Sequence, residues 1–563
     1  MIERLAMLWP EVSLFITTCV VMVLGLSKSY AVRKSTAWIA GLGIAVSGFL
    51  AFRSADAVNT ALSEGRTVGQ TLVPYLMPYA KMMIAAVGGL LLMLMAGTVD
   101  RGEEADIASG KRSFDPLRSN RAEFYSFFLF SLTGLMLCAS ADTLIWLFLA
   151  LELTSLPTYI MVGISTSRNR GREAAVKYFF LGALGAAVFL YAFALIYGAT
   201  GSTHLNAIAA SFQTNGINAL GLIGILLALL GFGFKIAAVP MHFYTADVYE
   251  GGASQVSAFL AFVPKTAGFL AIILLCSTFG WNYLPSATGI HLPSFNGDPI
   301  QAVSDGTQLP EAVRLMLWVI AAMTMTVGNV LAVLQTSIKR TLAYSSIAHS
   351  GYMLVGIIAG PGQDFAHDGL ATVLFYLFSY GVMNAGTFAV IASLERAPLK
   401  GDSEAREVDQ FSDLRGLWKS RPVLASCMTV CSLSLLGLPP LLGFMGKLPL
   451  FTSIISKGDI TLALVLGINS AIAAYYYLKL AFTPLLDPVD TNAEPVLATP
   501  FRSRPMVAGV SAVLMVVLAV VASPIMAQAF HASRLKSPVV KPAALNPEQE
   551  AAVQIPVVSL KAE

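Results

Sequence analysis

Four residues stand where the surrounding sequence gives a charge no water. Glu152 lies in Phe148-Leu-Ala-Leu-Glu152-Leu-Thr-Ser-Leu-Pro157, and Lys235 in Gly231-Phe-Gly-Phe-Lys235-Ile-Ala-Ala-Val-Pro240. Lys265 lies in Val263-Pro264-Lys265-Thr266-Ala267-Gly268, and Lys447 in Gly443-Phe-Met-Gly-Lys447. Lys177 stands beside Tyr178-Phe179, and His349 sits among Ser345, Ser346, Ser350 and Tyr352. Burial makes the charged form of an amine harder to keep, while a nearby carboxylate makes it easier. A buried lysine is therefore switched between charged and neutral by moving its acid, which is what a proton relay requires. Arginine cannot do this because it does not deprotonate. Glu152 reads as the only acid at the centre of an apolar run, and it can neutralise one of these lysines but not three.

Composition names the solvent in which these residues are buried. Of the 563 residues 56% are hydrophobic and only 12% charged, and the mean hydropathy is +0.70. Soluble domains carry roughly 25% charged residues, so this chain cannot cover a water-exposed surface. That excludes a soluble enzyme and a disordered chain, and the net charge of +3 is too mild to imply nucleic acid. The five cysteines, Cys19, Cys138, Cys276, Cys427 and Cys431, lie in apolar runs and form neither a disulfide framework nor a metal-ligand pattern. A polytopic membrane protein remains. An ionisable group at mid-bilayer costs on the order of 3 kcal/mol and is a functional candidate by default.

The elements that must position these groups are apolar runs of about 20 residues. They fall at 11–27, 35–52, 82–98, 122–138, 142–163, 173–200, 217–239, 253–278, 311–335, 341–360, 369–393, 421–456, 459–482 and 504–528. The expectation is an all-α fold of about fourteen transmembrane helices, the first of them beginning near Glu11 with no cleaved leader. The 421–456 run is broken at Gly437-Leu-Pro-Pro440. Most Lys and Arg fall in loops 28–34, 99–121, 164–172, 336–340, 394–421 and 483–503, which places that face in the cytoplasm and both termini outside. The loop at 279–310 has no Lys or Arg, and its role is not legible. The tail 531–563 reads as disordered.

The Gly-Phe-Lys segments of the seventh and twelfth runs, each followed by Pro240 or Pro449, suggest an internal repeat. They are five helices apart, an odd number, so the second copy crosses in the opposite direction. Paired, interrupted helices of this kind mark a site at an inverted-repeat interface. The domains expected are a three-helix region with its loop (1–120), two five-helix repeats (121–280 and 311–482), and a C-terminal helix (483–530).

Taken together, the motifs resemble the antiporter-like membrane subunits of proton-pumping NADH:quinone oxidoreductase, respiratory complex I, and most closely the N-type branch. The strongest stretch runs from Gly231 to Gly268; Arg121–Tyr125, Glu173–Phe179, Ala343–Tyr352 and Gly437–Lys447 add to it. The resemblance implies a Glu152–Lys235 pair on the fifth and seventh helices, Lys265 as the central connecting lysine, and Lys447 as the terminal residue. Lys at that last position is the N-type choice where the M-type has Glu. It implies matching roles for Lys177 and His349. It also implies that this chain binds no cofactor, with NADH, FMN, Fe–S clusters and quinone (such as ubiquinone) held by other subunits. Partners would be the M and L types and small membrane subunits, in a bacterial inner membrane. The family usually has Trp at Tyr244 and Pro at Ala246, Ala253 and Gln255. Two other readings stand beside this one: a subunit of a cation/proton antiporter, and a non-pumping scaffold.

Overall fold

The computed structural model describes residues 7–63, 72–115, 119–166, 169–281, 309–396, 406–488 and 495–534. The greater part of the 279–310 loop and the tail beyond residue 534 lie outside them. The helices in the first half are α1 (Trp9–Gly25), α2 (Tyr30–Ser63), α3 (Leu76–Leu94), α4 (Arg101–Ala108), α5 (Arg121–Ala139), α6 (Leu144–Ile164), α7 (Asn169–Thr200), α8 (Leu205–Asn215), α9 (Ala219–Lys235), α10 (Thr245–Gly251) and α11 (Ser254–Cys276). The second half has α12 (Glu311–Val333), α13 (Ile338–Ala359), α14 (Gly369–Ala392), α15 (Leu417–Ser420), α16 (Pro422–Leu436), α17 (Leu442–Ser456), α18 (Ile460–Leu486), α19 (Ser503–Val520) and α20 (Ala522–Ala532). Strands β1 (Leu394–Arg396), β2 (Arg406–Glu407) and β3 (Val496–Ala498) form one small antiparallel sheet in the order β2-β1-β3.

The chain has the all-helical, multi-pass membrane fold expected. Every apolar run carries helix, but among the described residues eleven helices are long and apolar enough to cross a membrane, against the fourteen counted from sequence. The difference has three sources. The first run folds as a 17-residue helix, α1. The seventh ends early at Lys235, so α9 is also 17 residues. The twelfth is split into α16 and α17 of 15 residues each. At 1.5 Å per residue these give about 25 Å or less, short of a bilayer core of about 30 Å.

Three helices form the centre. The apolar windows of α11, α13 and α14 are 100%, 94% and 94% buried, against 39% for α7, α12, α18 and α19. A helix that is apolar all round and fully buried belongs to a core rather than a lipid-facing ring. Helix α11 touches α3, α5, α6, α9, α13 and α14, so Lys265 stands on the element farthest from lipid. Close approach is set by small residues, as in other membrane bundles. A Cβ on Gly134 of α5 would lie 2.5 Å from the Thr154 backbone nitrogen of α6, so α5 and α6 meet backbone to backbone beside Glu152.

The N-terminus of α11 is tied to the sheet. Glu407 of β2 accepts from the Ser254 N–H (3.0 Å) and its hydroxyl (2.9 Å), and from Lys339 Nζ (3.0 Å), which also donates to Gly252 O (3.0 Å). Gln255, one of the departures from the family pattern, turns its amide oxygen to the Arg504 guanidinium of α19 (2.9 Å). Arg504 in turn donates to Ala96 O and Ala392 O (both 2.9 Å). Burial pushes the Glu407 carboxyl up, but Lys339 and the two Ser254 donors outweigh this and hold it below the usual carboxylate range. Its stabilising contribution is therefore fully present above a pH of about 4.3 and is lost as pH falls through the lower folded-state value. Glu407→Gln should cost about 1–3 kcal/mol at neutral pH, read as a lower thermal midpoint of the purified protein in detergent. The gap between parent and variant should close as the pH is taken below the carboxylate range.

Candidate functional site

Helix α9 stops at Lys235, and the chain runs irregularly to α10. An interrupted helix frees backbone groups that must be satisfied inside the protein. Here Tyr244 Oη donates to Phe234 O (2.8 Å), Ser350 Oγ to Ile236 O (2.5 Å), and the Val239 N–H to Thr324 Oγ1 (2.9 Å). Tyr244, where the family usually has Trp, therefore serves the break directly. Ala237 takes the left-handed conformation at φ 55°, which turns the chain out of the helix. With the freed carbonyls bonded elsewhere, the Lys235 ammonium is left for side chains. It donates to Glu152 Oε1 (3.0 Å) and to Ser155 Oγ (2.6 Å), one turn further along α6. Lys235 is buried and Glu152 mostly so.

Lys235 and Lys265 line one cavity, together with Tyr178, Tyr244, Tyr249 and Ser346 among others. It has room for about one water molecule. Lys265 Nζ donates to Ser346 Oγ (2.7 Å) and closely to Ser346 O, under the face of Tyr380 at 4.7 Å. One turn on along α13, His349 is fully buried and bonded at both ring nitrogens, Nε2 to Tyr477 Oη and Nδ1 to Tyr376 Oη, each at 2.7 Å. Its ring lies 5.4 Å from that of Tyr352, over which Lys447 Nζ sits at 4.6 Å.

Lys447 is built differently from Lys235. The break lies at 437–441, where Gly437 closes α16 at φ 88°, and Lys447 follows it, inside α17. Its Nζ donates to Leu436 O (2.9 Å), one of the carbonyls the break sets free. Pro449, expected to break the helix, lies inside α17. The two lysines thus stand on opposite sides of their breaks.

The structure brings together five of the six candidates. Lys177 is apart: its side chain is 44% exposed and pairs with Glu173 (2.8 Å) and Asp247 (2.9 Å). Asp247 also accepts from Arg340 (2.9 Å). This charged cluster adjoins the cavity, since Tyr178 and Thr245 line it. Sequence reasoning also passed over a second buried ion pair, away from the centre of any apolar run. Glu11 of α1 is buried, 2.7 Å from the fully buried Lys81 of α3, and accepts from Ser140 (2.9 Å). Both fall at the edges of their apolar runs, where a charge looks interfacial. Ser155, Tyr376 and Tyr477 were missed because no spacing rule singles them out. Among the described residues, no group of three or more His, Cys, Asp or Glu is arranged to hold a metal ion.

The family model for the transmembrane region of NADH:quinone oxidoreductase and Mrp antiporters matches residues 141–290 and 304–473. The chain belongs to this family. Among its relatives, NADH-quinone oxidoreductase subunit N of Trichlorobacter lovleyi is 35% identical, over 84% of this chain and 86% of the relative. Subunit N of Myxococcus xanthus is 36% identical, over 74% and 79%. Among solved structures, a chain of respiratory complex I from Thermus thermophilus with bound aureothin superposes with a TM-score of 0.68 at 28% identity, covering 92% of this chain and 98% of that one. A chain of the Mrp complex from Dietzia has a TM-score of 0.70 at 18% identity, over 95% and 97%, a likeness of fold. Within this family setting the arrangement is a line of amines, hydroxyls and one imidazole held in an apolar core, able to hold and pass protons.

A hydrogen bond to a charged group is worth about 1.5–3 kcal/mol, so Ser155→Ala should leave assembly intact but slow proton uptake on the order of tenfold. Proton uptake by inverted membrane vesicles, set against the amount of assembled complex, checks this.

Proposed function

We propose that this chain works as the N-type membrane subunit of a proton-pumping NADH:quinone oxidoreductase and itself carries protons along Glu152, Lys235, Lys265, His349 and Lys447. The observation that carries this reading is the shared cavity: Lys235, paired with Glu152, opens onto the space that Lys265 also lines. The identity of about a third with subunit N relatives supports the choice of branch. No redox centre belongs to this chain, and NADH oxidation and quinone reduction take place in other subunits. It sits in the bacterial inner membrane beside other antiporter-type and small membrane subunits, with both termini on the outer side.

In the proposed cycle the Glu152 carboxylate holds the proton on Lys235. A redox-driven change elsewhere in the complex draws the acid away, and the proton crosses the cavity to Lys265. It then passes His349 to Lys447 and is released outside. Lys177 and the Asp247 cluster collect protons at the mouth beside the cavity. Two unit charges 3.0 Å apart interact by about 5–6 kcal/mol at an effective dielectric of about 20, before desolvation is counted. Moving one charge across a membrane costs about 2.3 kcal/mol per 100 mV. Opening and closing one ion pair is therefore of the right size to drive one proton.

The two five-helix units, 121–280 and 311–482, are read as inverted repeats. Two parallels support this beyond the broken helices. Thr143 caps α6 and bridges to His204 ahead of α8, and Ser337 caps α13 and bridges to Gln410 ahead of a 3₁₀ turn.

The test is to replace Lys235 or Glu152 by Ala, confirm assembly, and follow NADH-driven proton uptake by inverted vesicles. Loss of uptake in both variants is expected. Unchanged uptake in an assembled complex would remove the pair from the route and favour a scaffold. Quinone reduction by NADH that survives deletion of the gene would favour a free-standing antiporter.

A further inference from the structure

We infer that Tyr477 and Tyr376 are the proton donor and acceptor on either side of His349, so that a proton crosses this point of the route only by passing through the imidazole ring from one phenol to the other. The inference rests on the route proposed above and deepens it.

His349 is fully buried, as are both tyrosines. Tyr477 comes from α18 and Tyr376 from α14, so the ring on α13 is gripped from two other helices. Both bonds are 2.7 Å. A neutral imidazole carries one N–H and one lone pair, and the bond made by one nitrogen fixes the state of the other. With the proton on Nδ1, that N–H donates to Tyr376 Oη, and Nε2 accepts from the Tyr477 hydroxyl. Transfer then balances atom by atom. The Tyr477 O–H bond breaks as Nε2–H forms, and Tyr477 is reprotonated by the Ser345 hydroxyl, which lies in close hydrogen-bond contact with it and takes its own proton, by way of a water molecule, from the Lys265 ammonium. Nδ1–H breaks as Tyr376 gains a proton, and the proton Tyr376 held passes to a water molecule and from it to the neutral amine of Lys447, the next base on the proposed route. The ring ends as the Nε2–H tautomer, with every bond in the chain reversed in direction. A second proton cannot follow until ring and hydroxyls have turned back. Each passage is thus a single-proton event.

The location fits this role. Ser345 precedes Ser346, the partner of Lys265. On the other side the Tyr376 ring packs against Gly446, where a Cβ would lie 2.4 Å from it, immediately before Lys447.

The experiment uses the whole complex in inverted vesicles, with assembly verified and uptake rates measured in H2O and D2O. Tyr477→Phe and Tyr376→Phe keep ring and packing and remove only the hydroxyl. Each should slow NADH-driven proton uptake on the order of a hundredfold, the scale of a lost positioned proton carrier, and the double variant should be no slower than the slower single one. His349→Gln can bond both phenols but cannot relay a proton, so it should be equally slow, which a packing role would not predict. The parent should show a solvent isotope effect on uptake that these variants alter. Uptake at the parental rate in either Phe variant, or in His349→Gln should a Phe variant fail to assemble, overturns the assignment. Lys265→Ala run alongside separates the failures. Loss there with normal Phe variants sinks only the tyrosines, while normal uptake in all of them sinks the route itself.

Discussion

An ammonium group in an oil-like interior must have a partner, and the rest of this architecture follows from how each buried lysine finds one. Transfer of an unpaired charge from water to a low-dielectric interior costs several kcal/mol even after relaxation. Among the described residues five lysines are buried: Lys81, Lys235, Lys265, Lys339 and Lys447. They use three kinds of partner. Lys81, Lys235 and Lys339 have acids, Lys265 has a serine hydroxyl and carbonyl under an aromatic face, and Lys447 has a freed carbonyl and another aromatic face. Only Lys235 joins a charged partner to a position on the shared cavity, which is why the switching step is assigned there.

The broken helices supply the polar groups that this scheme uses. A continuous span would consume all its carbonyls internally and offer an amine nothing. At the first break neighbouring side chains satisfy the backbone and leave Lys235 free for Glu152. At the second, the lysine itself does part of that work. The same sequence device, glycine and proline inside an apolar run, thus yields one lysine paired with an acid and one bonded to a freed carbonyl.

Much of this was legible in the residues. Glu152, Lys265 and Lys447 stood out because a charge inside an apolar run has few harmless explanations. The 437–440 break was legible because Gly and Pro terminate helices. The first break was misplaced by several residues because Ile236–Val239 is as apolar as the helix before it. The Glu11–Lys81 pair was overlooked because run edges are where snorkelling cations are common. Lys177 looked buried because depth along a helix says nothing about which face a residue occupies, and its face looks toward Asp247 (2.9 Å). Tyr376 and Tyr477 were invisible for another reason. Tyrosine is ordinary in a membrane chain, and only the folded arrangement brings α14 and α18 to the same ring.

The clasp formed by Glu407, Ser254 and Lys339 has a mechanical consequence. Helix α11 is held at one end by a strand outside the bundle, and that strand shares a sheet with β3, which leads into the final helices. The clasp therefore fixes the first turn of α11, eleven residues before Lys265 and ahead of Pro264, where the helix loses a ladder hydrogen bond. Where the sheet sits thus decides where the central helix begins.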